Sequence, residues 1–246
     1  MMEFWDKRWK EFEPFPIDPT TFREKAGLTM FLDRIGNVDG KNVLDMGCGN
    51  GQLSVYLAKL GANVTAIDSS QVAVENTKKI AKVNQVELSL EPYRLNVLEL
   101  SNFAKQFDLV VGMAILHHIE PFEVFSEILY NILTKGGRGI FLENNSRNPV
   151  LMFCRSSLVG RFGIPKYGDD EEHPFEPSEI EILKQRFHRV HVYYPDFRFF
   201  IMMGIYLFRR NRLLCKLLKR MDECVYSYLP IFHKYSYNQI IEVEKI

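Results

Sequence analysis

The most informative stretch of the sequence is Val43-Leu44-Asp45-Met46-Gly47-Cys48-Gly49-Asn50-Gly51, a hydrophobic segment that ends in an acid and continues into a glycine-rich turn. The glycines let the backbone turn sharply and let a ligand approach main-chain atoms that a Cβ would shield. A dinucleotide-binding turn reads G-x-G-x-x-G, whereas here the third glycine comes one place early and Gln52 stands where that motif has glycine. The acid at Asp45 suits a ligand that carries an ammonium group. The stretch therefore predicts a strand, a ligand-binding loop and the start of a helix.

Outward from this stretch, short apolar runs alternate with helical patterns, which is typical of a parallel sheet wrapped by helices. The predicted strands are Asn42–Met46, Asn63–Ile67, Ser89–Leu95, Phe107–Met113, Gly137–Glu143, Arg189–Tyr194 and Ser236–Glu244. Apolar residues recur at helical spacing in the predicted helices Leu53–Leu60, Gln71–Asn84 and Phe122–Leu133. Ser178 is a candidate cap for a further helix. The order of elements predicts an α/β fold.

Polar side chains stand at the carboxyl ends of three further predicted strands, where open parallel sheets bind ligands. Asp68 ends the second strand and is placed to accept hydrogen bonds from two ribose hydroxyls. Asn96 and the Val97 amide follow the third strand, where they can pair with an adenine. The fourth strand leads into two adjacent histidines, His117 and His118. These residues predict a nucleoside-containing ligand at one edge of the sheet.

Over roughly residues 41–143, the chain resembles the class I S-adenosylmethionine-dependent methyltransferases. The resemblance rests on the first stretch together with Asp68, the segment Leu116-His117-His118-Ile119 and the turn Leu133-Thr134-Lys135-Gly136-Gly137. It implies a Rossmann-like, mostly parallel sheet of seven strands, with an antiparallel last strand and helices on both faces. The pattern from Tyr235 to Val243 is similar to that last strand. The cofactor implied is S-adenosylmethionine.

The resemblance also implies roles for individual residues. It assigns the methionine end of the cofactor to Asp45, Gly47 and Gly49, with Cys48 in the same loop, the ribose to Asp68, the adenine to Ser69, Asn96 and Val97, and a backbone contact near the amino group to Met113. Many members have Asp where this chain has Asn96, so we expect weaker adenine selectivity. The structural alternatives are a helix cap for Asp45 and a turn for Asp68.

The two histidines bear on the reaction. Methyl transfer from a sulfonium is an in-line displacement, so alignment of the acceptor supplies much of the catalysis. A base is needed only if the acceptor loses a proton, and His118 or His117 is then the candidate, with loop packing as the alternative role. The fold's motif for methylating DNA amines and peptide amides, Asn/Asp-Pro-Pro-aromatic, is replaced by Gly112-Met113-Ala114-Ile115, and there is no Pro-Cys nucleophile. We therefore expect O- or N-methylation of a small molecule, and the aromatic and Met side chains of residues 196–234 favour an apolar or amphipathic acceptor.

Two other functions stay open at this point. One is an NAD-linked dehydrogenase, which the glycine spacing disfavours. The other is a protein of the same fold that binds S-adenosylmethionine, or nothing, and acts as a partner or scaffold. Titration with both cofactors separates the dehydrogenase from a methyltransferase, and turnover separates the enzyme from the scaffold.

Composition narrows the classes further. The chain is 46% hydrophobic and 25% charged, as in globular proteins, and its 31 Lys and Arg residues balance 31 Asp and Glu residues, so no net field favours nucleic acid. The four cysteines show no C-x-x-C spacing and no histidines at metal-ligand intervals, so neither a metal site nor a disulfide framework is expected. No signal peptide is found, and we expect a cytoplasmic protein. Nothing in the sequence indicates an oligomeric state.

A single domain accounts for the 246 residues. We expect residues 1–40 to form an N-terminal helical lid, 41–144 the cofactor-binding core and 145–246 the substrate-side half. The lid is predicted because five aromatic residues outside the sheet need burial: Phe4, Trp5, Trp9, Phe12 and Phe15. Packing against the flank of the sheet is the alternative.

A helical insert is predicted before the last strand, over about residues 196–234, because a direct hairpin would need far fewer residues. Helical spacing places Leu213, Leu214, Leu217, Leu218 and Met221 on one face and Arg212, Lys216, Lys219 and Arg220 on the other. We expect the insert to cap the acceptor pocket or to rest its basic face on an anionic membrane, as a peripheral contact.

Overall fold

The computed structural model describes residues 2–25, 27–148, 174–207 and 212–246, together with 152–153 and 156–157. Its sheet contains seven strands: β1 (Asn42–Met46), β2 (Asn63–Asp68), β3 (Leu90–Arg94), β4 (Phe107–Met113), β5 (Leu133–Asn144), β6 (Arg189–Tyr193) and β7 (Asn238–Glu244). The strand order is β3-β2-β1-β4-β5-β7-β6. β7 runs antiparallel to both of its neighbours, while the other pairs are parallel. The predicted seven-stranded sheet with an antiparallel last strand is confirmed.

Helices cover both faces of the sheet, as expected. They are α1 (Met2–Trp9), α2 (Pro19–Arg23), α3 (Thr29–Ile35), α4 (Gln52–Lys59), α5 (Gln71–Val83), α6 (Phe122–Ile132), α7 (Pro177–Arg186), α8 (Phe199–Leu207) and α9 (Arg212–Tyr228). Apolar side chains of α3, α4 and α5 pack on one face, and those of α6 and α7 pack on the other.

The two faces of the sheet bury separate apolar clusters. Successive residues of a strand point to opposite faces, so Val43 joins the cluster under α4 while Leu44 joins the cluster under α6. In β4, Leu109 and Val110 divide between the clusters in the same way. Both faces of the sheet are covered by apolar side chains, which explains why these strands have continuous apolar sequences rather than an alternating pattern.

Several element boundaries differ from the sequence prediction by one or two residues, and two differences are larger. Strand β5 begins at Leu133 rather than Gly137. Ser178 does not cap α7: the N-cap is Glu176, which forms a capping box with Glu179, and Pro177 occupies the first helical turn. A carboxylate accepts from the free amides as a serine hydroxyl would, and proline needs no amide partner there.

The predicted insert before β7 consists of α8, α9 and a short 3-10 helix from Pro230 to Tyr235. Asp222 of α9 caps α8, accepting hydrogen bonds of 2.8 to 2.9 Å from the amides of Phe199, Phe200 and Ile201. These hydrogen bonds hold the N-terminal end of α8 against the side of α9. Within the described residues, no helix is long and apolar enough to cross a bilayer.

Candidate active site

A cavity of about 400 Å³ lies at the carboxyl edge of the sheet, over the ends of β1, β2 and β4. This edge is where open parallel sheets bind their ligands. Seven of the residues predicted to hold the cofactor line it: Asp45, Gly47, Cys48, Gly49, Asp68, Ser69 and Met113. The fold thus collects residues from three strands around one space.

The loop between β1 and α4 has a backbone shape that favours glycine. Gly47, Gly49 and Gly51 have φ angles of 65°, 53° and 77°, in the left-handed region. A Cβ on Gly47 would lie 2.8 Å from the Ile115 side chain, and one on Gly49 would lie 3.1 Å from the Trp9 ring. The side chains of Ile115 and Trp9 therefore pack directly against the loop, at distances that glycine at these two positions permits.

Asp45 is a buried carboxyl group at the end of β1. Its Oδ2 accepts a hydrogen bond of 2.5 Å from the Ser54 hydroxyl. Burial raises the pKa of Asp45 to about 7; the nearby Asp68 raises it as well, and the Ser54 hydrogen bond opposes both. A cation beside the carboxyl group favours its ionised form, so the position suits an ammonium group. The helix-cap alternative for Asp45 is wrong, because Gly51 is the N-cap of α4.

Asp68, at the end of β2, anchors the loop as well as facing the cavity. Its Oδ2 accepts from the Gly49 amide at 3.0 Å, and its Oδ1 accepts from the Ser70 amide at 2.9 Å. Burial raises the pKa of Asp68, and the two amide hydrogen bonds oppose that shift. A carboxylate has about four acceptor sites, so two amide donors leave capacity for ribose hydroxyls. The turn role and the ligand role are therefore compatible.

Asn96 and Val97 lie in an adjoining cavity of about 250 Å³, which shares Gly47, Asp68 and Ser69 with the first. The Asn96 side-chain oxygen accepts a hydrogen bond of 2.9 Å from the Leu98 amide and caps a 3-10 helix that begins at Val97. The predicted hydrogen bond to an adenine amine must therefore use the oxygen's second lone pair. The adjoining position itself agrees with an adenine subsite.

The two histidines occupy different environments. His118 lines both cavities. His117 is buried, lines neither cavity, and its Nδ1 lies 2.6 Å from Glu143 Oε2. The rings are adjacent, with centroids 4.1 Å apart. Geometry therefore favours His118 over His117 for contact with a substrate.

Glu143 is a site residue that the sequence reasoning missed. It is fully buried in β5, and its Oε1 accepts hydrogen bonds of 2.8 and 2.7 Å from the amides of Ile115 and Leu116. With the contact to His117, one carboxylate holds the whole turn that follows β4. The available signal was an acid after the apolar run Ile140-Phe141-Leu142.

The N-terminal helix α1 covers part of the cavity. Trp5 and Trp9 line it, and Trp5 meets the His118 ring edge-on at 5.9 Å between centroids. Two polar contacts hold the helix: Asp6 Oδ1 accepts from the Ser70 hydroxyl at 2.5 Å, and the Trp9 carbonyl accepts from Asn76 Nδ2 at 2.8 Å. Of the other aromatics in the predicted lid, Phe12 packs against the apolar cluster under α4, Phe15 is exposed, and the Phe4 side chain lies outside the described residues.

Lys25 is a second residue that the sequence reasoning missed. It lines the cavity, its Nζ donates to Gln52 Oε1 at 2.8 Å, and it lies 4.4 Å from the centroid of the Phe22 ring. Partial burial lowers the pKa of Lys25. A cation here and a carboxyl group at Asp45 match the two charged groups of an amino acid, so the residues present fit the methionine end of S-adenosylmethionine. No group of His, Cys, Asp and Glu side chains within the described part of the chain is arranged to hold a metal ion.

The chain is similar in sequence to known proteins. Residues 43–137 match a family model described as a methyltransferase domain. The chain is 32% identical to the ubiquinone biosynthesis O-methyltransferase of Pelagibacter ubique over 194 residues, which cover 74% of this chain and 78% of that protein. It is 39% identical to the mitochondrial ubiquinone biosynthesis O-methyltransferase of Schizosaccharomyces pombe over 99 residues, which cover 40% of this chain but only 36% of that protein.

A solved structure agrees over the full length of the chain. The magnesium protoporphyrin IX methyltransferase of Synechocystis PCC 6803, determined with bound S-adenosylhomocysteine, superposes with a TM-score of 0.60 at 16% identity, covering 100% of this chain and 98% of that one. At that identity the likeness concerns the fold alone.

Proposed function

Because this chain belongs to the class I S-adenosylmethionine-dependent methyltransferases, we propose that it methylates a hydroxyl oxygen of a small, apolar or amphipathic acceptor. The observation that carries the proposal is the position of His118, which lines the same cavity as Asp45 and Asp68 and contacts Trp5. A candidate base and an apolar wall thus adjoin the residues predicted to bind the cofactor. The names of the two relatives, both O-methyltransferases, support transfer to oxygen.

Binding of the cofactor would use three charged residues that line the cavity. S-adenosylmethionine supplies an electrophilic methyl group on a sulfonium. Asp45 would accept hydrogen bonds from the ammonium group, Lys25 would bind the carboxylate, and Asp68 would hold the ribose. Gly47 and Gly49 line the cavity without a Cβ, so the cofactor could approach their main-chain atoms.

Trp5 and Trp9 would exclude water and orient the acceptor. The two rings lie 5.9 Å apart between centroids with nearly parallel planes, and together they form an apolar wall beside His118. A flat or hydrocarbon acceptor gains from such a wall, whereas a highly polar one loses hydration. Exclusion of water also protects the displacement from side reactions and strengthens the charge interactions in the site.

His118 would accept the hydroxyl proton as the oxygen attacks. His117 would act on its position instead, because its buried ring contacts Glu143 on one side and the His118 ring on the other. The turn that carries both histidines is fixed by the Glu143 carboxylate. Because the turn is fixed, the His118 side chain has few unproductive orientations relative to the acceptor.

Turnover of defined acceptors tests the proposal. The protein would be incubated with methyl-labelled S-adenosylmethionine and two matched series, phenols and anilines with alkyl chains of increasing length. We expect methylation of the phenols, with kcat/KM rising with chain length. Methylation confined to the anilines, or to unsubstituted polar compounds, would show that the acceptor class is wrong.

A pair of variants tests the base. His118→Gln should lower kcat for a phenol roughly a hundredfold while leaving cofactor affinity unchanged. His188→Gln removes an exposed histidine remote from the cavity and serves as the matched control. Full activity of His118→Gln would mean that the acceptor is already nucleophilic and that positioning alone suffices.

Family membership disfavours the NAD-linked alternative, and the turnover assay distinguishes an enzyme from a scaffold. The balanced charge of the chain supports a small-molecule acceptor over nucleic acid. A cytoplasmic site of action is supported by the free thiols of Cys48, Cys215 and Cys224.

A further inference from the structure

The outward face of α9 carries a row of exposed apolar side chains. Leu213 is 81% exposed, Leu217 55% and Tyr228 78%, and Met221 lies between them. At 3.6 residues per turn, these four positions fall on one side of the helix, and we call them the apolar stripe. The sequence prediction placed five apolar residues together on one face of this helix. The structure instead divides them, with Leu214 and Leu218 half-buried on the inner side.

The exposed apolar surface continues beyond the helix. Leu229, Ile231 and Phe232 follow α9, and all three are exposed, with Ile231 at 72%. The 3-10 helix that contains Ile231 and Phe232 buries no residue. Isolated exposed leucines are ordinary, but a contiguous row of this length on a surface marks an interaction site.

The stripe faces outward because the other side of α9 is firmly attached. Asp222 is buried beneath the first turn of α8 through its three amide hydrogen bonds. The Tyr226 hydroxyl donates to the Tyr194 carbonyl at 2.8 Å. A Cβ on Gly204 would lie 2.8 Å from Leu218, so α8 and α9 are in close contact. Rotation of α9 to bury the stripe would break all of these contacts.

Cations lie along one edge of the stripe. In residues 213–235 the exposed charged side chains are Lys216, Lys219, Arg220 and Lys234 against a single acid, Glu223, which lies 3.7 Å from Lys219. Lys216 and Arg220 precede Leu217 and Met221 by one residue and therefore flank the stripe. The whole chain is neutral, with 31 cations and 31 acids, so this excess is local.

We propose that the apolar stripe and its flanking cations dock the protein on an anionic lipid bilayer. A helix that lies in a bilayer surface presents this combination, with apolar side chains below the headgroups and Lys and Arg at their level. A second copy of the chain fits less well, because stripe-to-stripe packing would bring Lys216 and Arg220 toward their own counterparts with few acids to compensate. The inference concerns a surface away from the cavity and does not depend on the identity of the acceptor.

Flotation with vesicles tests the proposal on the full chain. Vesicles of phosphatidylcholine alone are compared with vesicles that also contain phosphatidylglycerol. We expect binding to the anionic vesicles at low salt and weaker binding as salt is raised. Lys216→Gln with Arg220→Gln should weaken it about thirtyfold, since each cation contributes about a fivefold factor. Leu217→Ser with Ile231→Ser should reduce it at least as much.

Matched controls separate this surface from general effects. Lys78→Gln with Lys79→Gln removes two exposed cations of α5, and Leu88→Ser removes a fully exposed leucine. These variants should bind vesicles as the unaltered protein does, and circular dichroism checks the fold of each variant. Absence of binding to anionic vesicles, or unchanged binding by the stripe variants, would overturn the proposal. A dimer in light scattering that Leu217→Ser dissociates, without vesicle binding, would assign the surface to a second copy. Methyl transfer is not measured, so the outcome is independent of the proposed function.

Discussion

Cofactor affinity should fall as the pH drops below about 7, because Asp45 takes up a proton there. Burial holds the pKa of this carboxyl group at about 7 in the ligand-free protein, against an ordinary value of 3.8. A bound ammonium group favours the ionised form and lowers the pKa again. Binding must therefore release a proton whenever Asp45 starts out protonated. Cofactor affinity is therefore highest above the raised pKa of Asp45 and decreases as the pH falls through that pKa.

The size of the effect follows from the raised pKa. If the complex restores a pKa near the ordinary value, about ten in eleven ligand-free molecules carry the proton at pH 6, one unit below the raised pKa. Affinity then falls about tenfold at pH 6, or about 1.4 kcal/mol, and about a hundredfold at pH 5. The amino group of the ligand stays charged throughout this range, since it loses its proton only above about pH 7.7.

Isothermal titration with S-adenosylhomocysteine measures both quantities. Titrations at pH 6 in two buffers of different ionisation enthalpy should report release of about 0.9 proton. Asp45→Asn should bind weakly at every pH and lose this dependence. Ser54→Ala should move the midpoint to higher pH, because the Ser54 hydrogen bond lowers the pKa. An affinity that is flat from pH 5 to pH 7.5, or a slope that survives in Asp45→Asn, would refute the reasoning.

Three further perturbations follow from the contacts of the site. Asp68→Ala should weaken S-adenosylhomocysteine binding by roughly 2 to 4 kcal/mol in titration, through loss of charge-assisted bonds to the ribose, and unchanged affinity would contradict the ribose assignment. Glu143→Gln should lower the free energy of unfolding, measured in urea, by roughly 1 to 3 kcal/mol, because an amide nitrogen replaces one of the oxygens that accept buried hydrogen bonds. Glu123→Gln, on the exposed side of α6, is the control. Equal stability of the two variants would argue against a stabilising role for the Glu143 hydrogen bonds. Removal of residues 1–12 should leave the core folded, since the Ile17 amide still donates a hydrogen bond to Asn84 Oδ1. It should weaken cofactor binding, because α1 no longer covers the cavity. Unaltered affinity would mean that α1 only packs against the flank of the sheet.

Local signals predicted much of the fold. The strands could be read from apolar runs such as Val43–Met46, and the loop that follows from glycines whose left-handed backbone few other residues adopt. Asp68 was identified because parallel strands bring their carboxyl ends to one edge. Each of these inferences depends on residues close together in sequence or on a general rule of sheet geometry.

The residues that escaped prediction depend on contacts between distant segments. Lys25 reaches the cavity from a segment before β1, and Glu143 reaches back from β5 to the turn after β4. The sequence prediction gave the Asn96 side-chain oxygen to a ligand alone, because its hydrogen bond from the Leu98 amide forms only with the 3-10 helix that begins at Val97. Helical periodicity also grouped Leu213 with Leu218, although only tertiary packing decides which of the two is exposed.

The position of β7 between β5 and β6 has a consequence for synthesis of the protein. Among the residues that the structure describes, β6 pairs with β7 alone, so it has no strand to pair with until β7 has been synthesised. On the ribosome, β1 to β5 can assemble in order. In contrast, α7, β6 and the helical hairpin of α8 and α9 cannot take their final positions until β7 has been synthesised. That strand must then enter antiparallel between two others, pairing along Arg138–Asn144 of β5. A nascent chain arrested before residue 238 should therefore expose the open edge of β5, where chaperones can bind or other chains can pair.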